Sequence, residues 1–211
     1  MLVIKKAHSC IRLEKDGQAL VMDPGGLTDP EVLTGADAVL VTHEHWDHFE
    51  EGRLRNAMDT NPGLRLWTVR SVADKMSGYG NRVTIVGPGE TFTAAGFEVE
   101  AHGEMHALLH RSVPRILNTG FLVDGAVFHT GDAFTVPFRP VDTLILPIHA
   151  RWSTEADVVD YLGEIKPKRA IVAHEGMLQD FAVRFYGELI RQLEPDVDYQ
   201  ELKPDETITI G

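Results

Sequence analysis

Residues 43–48 read His43-Glu44-His45-Trp46-Asp47-His48 and follow the apolar run Ala38–Val41. Three of the chain's ten histidines fall in this one stretch. Side chains alternate along an extended loop, so His43 and His45 point to the same side. If the chain turns into a helix at Asp47, that carboxylate and His48 can face a second point nearby. Imidazole and carboxylate donors without thiolate suit zinc, iron or manganese. A surface loop that merely happens to be rich in histidine explains the pattern poorly, because a buried strand leads straight into it.

Further donors stand at the ends of other apolar runs. His106 closes Gly103-Glu104-Met105-His106, Asp132 closes Val127–Asp132, and His174 follows Ile171-Val172-Ala173. Functional groups gather on such loops at a sheet's edge. Each alone reads as a hydrogen-bonded polar residue; beside the first cluster they supply what it lacks for a second ion. His110, four residues after His106, and His149, after Pro147-Ile148, are candidates to line a substrate pocket. His8, His102 and His129 suit the orienting of ligands, since metal-bound imidazoles need hydrogen-bond partners of their own. Arg111, Arg115, Arg139 and Arg151 adjoin these loops and either pair at the surface or clamp an anion. Trp46 and Trp152 either wall a pocket or pack, and Cys10 reads as a small buried filler.

The elements that must position these groups are short. Leu2–Ile4, Ile11–Glu14, Ala19–Met22 and Ala38–Val41 read as strands, with a hairpin signal at Asp16-Gly17. Asp23-Pro24-Gly25-Gly26 reads as a loop by composition. A helix is expected over Glu50–Asp59, a strand over Leu64–Val69, and a short helix capped by Ser71. Val83–Val86, Thr91–Thr93, Phe97–Glu100, Phe121–Val123 and Ala126–His129 read as strands, with Asp124-Gly125 as a second hairpin turn. Thereafter strands Thr143–Leu146 and Ala170–Ala173 alternate with helices Ser153–Ile165 and Met177–Leu193, and Thr207–Ile210 can close a sheet. Two strand-rich halves with outer helices predict a two-sheet sandwich.

The chain has 211 residues, 43% of them hydrophobic and 25% charged, with 20 Lys+Arg against 32 Asp+Glu and a net charge of −12. That composition excludes disordered and fibrous chains and predicts one domain over 1–211. The acidic balance argues against a nucleic-acid partner. One cysteine excludes an internal disulfide framework. No run approaches the roughly 18 apolar residues of a membrane span, and the first residues lack a secretory h-region. A cytoplasmic protein acting on a small molecule, with a homo-oligomer left open, is the expectation.

Thr42–His48, His106, His129–Asp132 and Ala173–Gly176 together resemble the metallo-β-lactamase-fold superfamily. Ala7–Cys10 and Leu146–Trp152 are similar to its L-ascorbate-6-phosphate lactonase-like branch. The resemblance implies an α/β fold, a four-layer αβ/βα sandwich of two mixed β-sheets with helices on both outer faces. It implies one metal site from His43, His45 and His106, a second from Asp47, His48 and His174, and Asp132 bridging two divalent ions. Zinc is the first expectation, with manganese and iron as alternatives. A hydroxide bridging two ions would attack a lactone, ester or phosphoester, with Asp47 as the catalytic candidate. The competing readings are a mono-iron, dioxygenase-like redox enzyme and a metal-binding protein without turnover.

Overall fold

Two dipeptides set one tight hairpin in each half, between the second and third strands of the first and the third and fourth of the second. Asp16-Gly17 and Asp124-Gly125 both adopt left-handed backbone, with φ of 52° and 78° and of 51° and 63°. Such turns match the twist of the strands they join. The computed structural model describes residues 1–211. The first half contains β1 (Leu2–Lys5), β2 (Ile11–Lys15), β3 (Gln18–Met22), β4 (Ala38–Val41), α1 (Glu51–Thr60), β5 (Arg65–Thr68), α2 (Arg70–Lys75) and β6 (Val83–Ile85). The second contains β7 (Thr91–Ala94), β8 (Phe97–His102), β9 (Gly120–Val123), β10 (Val127–His129), β11 (Thr143–Pro147), α3 (Glu155–Ile165), β12 (Arg169–Ala173), α4 (Asp180–Leu193), β13 (Asp198–Gln200) and β14 (Thr207–Thr209).

The strands form two seven-stranded sheets, β14-β1-β2-β3-β4-β5-β6 and β13-β12-β11-β10-β9-β8-β7. In the first, β14, β1, β2 and β3 pair antiparallel and β3 to β6 parallel; in the second, β7, β8, β9 and β10 pair antiparallel and β10 to β13 parallel. Hence β1, β3 and β4 run the same way in one sheet, as do β8, β10, β11 and β12 in the other. Every donor found in the sequence lies just beyond the C-terminal end of one of these strands.

Alternation along the strands divides the core. Val3, Ile11, Leu20, Leu40, Phe97, Phe121, Val127 and Ile171 fill the space between the sheets. The opposite faces, with Val21, Val39 and Leu66 of one sheet, pack on Leu54 and Met58 of α1 and Val72 of α2. Leu122, Leu144 and Val172 of the other pack on Val158, Tyr161 and Leu162 of α3 and Ile190 of α4. The expected four-layer sandwich is therefore the observed one.

One local expectation is corrected and one strand is added. Ser71 does not cap α2; the cap position is Val69, without a side-chain bond, and Ser71 lies inside the helix. The strand β13 went unread because Asp198-Tyr199-Gln200 carries a single apolar residue; it forms by pairing parallel with β12. α3 does start with a capping box, between Thr154 and Asp157.

Candidate metal centre

The loop after β4 is held from beneath by Asp23, a buried residue just past β3. Its carboxylate accepts hydrogen bonds from Thr42 N and Thr42 Oγ1, both at 2.8 Å, and lies 2.7 Å from His48 Nδ1. Thr42 Oγ1 in turn lies 3.0 Å from His43 Nδ1. Two rings are thus aimed by one carboxylate that the sequence presented only as part of a loop. The following glycines let the backbones touch: a Cβ on Gly25 would lie 1.9 Å from Asp47 O. Nothing in its own stretch singles Asp23 out; only the parallel pairing of β3 with β4 brings it to this loop.

The opposite side is built the same way. Gly131, at φ +63°, leaves no room for a side chain, since a Cβ would lie 2.3 Å from Asn118 Oδ1. That close turn lets Asn118 accept from Asp132 N at 3.0 Å. His106 Nδ1 lies 2.7 Å from Ala107 O, and His174 Nδ1 lies 2.6 Å from His149 O. Their Nε2 atoms are left facing inward. His129 bridges Ser9 O and Gly131 N, so it supports the Asp132 turn as expected. His102 packs edge-on against Phe128 and takes no part.

The structure brings together all seven residues that the sequence named as donors. His43, His45, His106 and Asp132 form one group, and Asp47, His48 and His174 form another that His8 joins; within each group the donor atoms lie within 4.8 Å of one another. Asp132 spans both: its Oδ1 is 3.1 Å from His48 Nε2 and 3.2 Å from His174 Nε2, and its Oδ2 is 3.3 Å from His106 Nε2. Yet the three Nε2 atoms and Asp132 Oδ1 are buried without any hydrogen-bond partner. Buried polar atoms in native proteins are almost always bonded. Here they converge unbonded, so the donor set fits divalent cations of the imidazole- and carboxylate-preferring kind. Glu44, the other acid of the run, turns away to Lys75 at 2.6 Å.

His8 is different in kind. Gly176 N donates to its Nδ1 at 3.1 Å, which places the proton on Nε2, and Nε2 lies 3.1 Å from Asp47 Oδ2. A nitrogen carrying that proton donates to Asp47 and is not free for a cation. Burial pushes the His8 pKa down to about 4, against the pull of Asp47, so the ring stays neutral. Lys5, fully buried, donates to His8 O and lies 3.1 Å from Glu175, tying this loop to the one bearing His174. His8, Asp23 and His174 all have positive φ, at 53°, 48° and 64°. Such strain collects at functional sites.

Electrostatics follow from crowding. Burial opposes charge on His48, but Asp132 and Asp23 on either side override it and raise its pKa well above the usual value. Burial and the neighbouring His48 hold His43 well below. Asp132 stays ionised because burial, which resists charge, is outweighed by His48, His106 and His174. Asp47 is lowered likewise, its burial overcome by the His8 hydrogen bond and by His48.

Above the donors opens a cleft of about 510 Å³. His149 lines it; His110 does not, being exposed and bonded through Nδ1 to Ser112 N, while its neighbour Leu109 faces the cleft. Of the four arginines, Arg139 pairs with Glu100, and Arg115 holds the His106 carbonyl at 2.7 Å. Only Arg151 lines the cleft.

Residues 3–174 match the family model described as the β-lactamase superfamily domain. The chain belongs to that metallo-β-lactamase-fold superfamily. A relative, "Protein Rv0786c" of Mycobacterium tuberculosis, is 32% identical over 209 residues, covering 96% of each chain. A protein of Aeropyrum pernix named "UPF0173 metal-dependent hydrolase" is 25% identical over 198 residues, covering 80% of each. The solved metallo hydrolase Igni18 of Ignicoccus hospitalis superposes with a TM-score of 0.79 at 18% identity, covering 100% of this chain and 98% of that one. That likeness bears on the fold of the superfamily member described here. No helix in it is long and apolar enough to cross a membrane.

Proposed function

We propose that the protein is a metal-dependent hydrolase that cleaves a lactone, ester or phosphoester bond in a small molecule, with two divalent ions, zinc first, at the paired clusters. One observation carries this: buried, unbonded donor atoms line the floor of a cleft that is open above them. Structural zinc sites are closed sets of four donors, whereas catalytic ones keep a position open. Relatives named as metal-dependent hydrolases support the same reading. The narrower lactonase-like branch rests on the resemblance of Ala7–Cys10 and Leu146–Trp152 alone.

His43, His45 and His106 would hold one ion and Asp47, His48 and His174 the other, with Asp132 between them. When bound, such a pair lowers the pKa of a shared water from about 15.7 to about 7 and polarises the scissile carbonyl or phosphoryl oxygen. The chain's own part is orientation. Asp47 Oδ2 accepts a hydrogen bond from His8 Nε2, and its Oδ1 makes no bond within the protein. Oδ1 can therefore accept a hydrogen bond from the attacking water and fix its direction. Trp152 Nε1 donates to Asp132 Oδ2 at 3.0 Å and holds the central carboxylate in place. Asp23 fixes the His48 ring through Nδ1.

The test is elemental analysis of the purified protein followed by a panel of lactones and phosphodiesters. Chelation should abolish turnover and Zn²⁺ or Mn²⁺ should restore it. Asp132→Ala should lower kcat/KM by more than about 100-fold, beyond what losing an outer partner costs. Turnover indifferent to both treatments would falsify the proposal.

A further inference from the structure

The donor atoms occupy only the floor of the cleft. Its walls are apolar, formed by Leu27, Trp46, Leu109, Trp152 and Met177. Two of these are large side chains left in solvent, Trp46 at 58% and Met177 at 61% exposure. Single exposed apolar residues are ordinary, but a cluster at one concavity marks a contact site.

Trp46 is exposed without being loose. Gly26 N donates to Trp46 O at 2.8 Å, and the Gly26 Cα lies so close to the indole that a Cβ there would be 1.9 Å from its ring. The indole is thus packed against main chain beside the metal loop while more than half of the residue stays in solvent. A fixed aromatic surface offers contact area with little ordering cost on binding.

Charge at the same cleft is equally selective. In a chain of net charge −12, Arg12, Arg55, Arg139, Arg169 and Arg191 all lie against carboxylates. Arg65, Arg70, Arg111, Arg151 and Arg184 make no side-chain ion pair or carbonyl hydrogen bond, and of all the arginines only Arg151, which is exposed, lines the cleft. A free guanidinium suits a carboxylate or phosphate.

We propose that the ligand of this cleft is an amphiphilic small molecule, with an apolar aryl or acyl group seated on Trp46 and one anionic group held by Arg151. A cavity of about 510 Å³ lies in the size range of small-molecule sites. The inference rests on the hydrolase reading for what happens next, and on the cleft walls alone for what binds.

Calorimetric titration of the protein, purified with its metal, tests it without turnover. The probes are 4-phenylbutyrate, decanoate, butyrate and 4-phenyl-1-butanol. The first two should bind at least about tenfold more tightly than butyrate, which lacks the apolar group, and 4-phenylbutyrate should exceed the alcohol by a similar factor. Trp46→Ala should erase the first preference and Arg151→Ala the second, both with metal content unchanged. Preference for phenylbutyrate over decanoate assigns an aryl group, and the reverse an acyl chain. Equal affinity for all four probes, or preferences untouched by both variants, overturns the inference while leaving the chelation and Asp132→Ala test of hydrolysis standing. Preferences present with no hydrolysis uphold the ligand class and sink the hydrolase reading instead.

Discussion

His8 shows how one ring can belong to a metal cluster and still not be a ligand. Its geometry fits the group of Asp47, His48 and His174, yet the Gly176 amide commits its Nδ1 and so its proton. Replacing it with Phe keeps an aromatic ring in the site and removes the donor to Asp47. We expect His8→Phe to weaken metal affinity or kcat by about 10–100-fold, the usual cost of an outer partner, measured by competition with a chelator. A complete loss of one ion, as for His174→Ala, would instead make His8 a ligand. Cys10 gives a second test at this scale. It is fully buried and its pKa is pushed up to about 12, chiefly by burial. At pH 8 only about one thiol in ten thousand is then ionised. The native protein should resist iodoacetamide, and the denatured protein should take up one label; rapid native labelling would contradict the burial.

The elements were legible where local chemistry dominates and obscure where partners decide. Asp-Gly pairs announced both hairpins, and the continuous apolar runs announced β4, β11 and β12. β13 has no pattern of its own and exists because β12 offers it an edge. The donors were readable because they combine unusual residue types with strand ends. Asp23 was not, because a lone Asp before Pro-Gly-Gly is ordinary turn composition, and only the tertiary meeting of β3 and β4 gives it Thr42 and His48. His110 misled for the opposite reason: closeness in sequence to His106 made it a candidate, but the loop between them turns His110 out to solvent. This contrast between local and tertiary control can be tested on two substitutions. Thr154→Ala removes a helix cap and should cost about 1 kcal/mol with metal content intact. Gly25→Ala forces a Cβ against Asp47 O, so it should cost about 1–3 kcal/mol and also reduce bound metal. Thermal melts with parallel elemental analysis separate the two, and equal metal content in both variants would show that the glycine loop does not set the site.

Across the whole molecule the donors come from both sheets. His43, His45, Asp47 and His48 follow β4 of one, while His106, Asp132 and His174 follow β8, β10 and β12 of the other. A cation bound there joins two layers that otherwise meet through an apolar core and a few polar ties such as Lys15–Asp124 and Lys5–Glu175. The unfolded chain holds no such arrangement, so metal binding is also folding free energy. With free metal at about 100 times its dissociation constant the added stability is about 2.7 kcal/mol. For a chain of this size each kcal/mol moves Tm by about 2–4 °C. Chelation should therefore lower Tm by about 5–11 °C, reversibly, in a fluorescence-monitored melt. Asp132→Ala, having lost the carboxylate shared by both clusters, should respond far less to the same chelator. The sign matters as much as the size. Were chelation to raise Tm, or to move wild type and Asp132→Ala alike, the metal would be acting somewhere other than the seam, and the unbonded imidazoles there would need a different explanation.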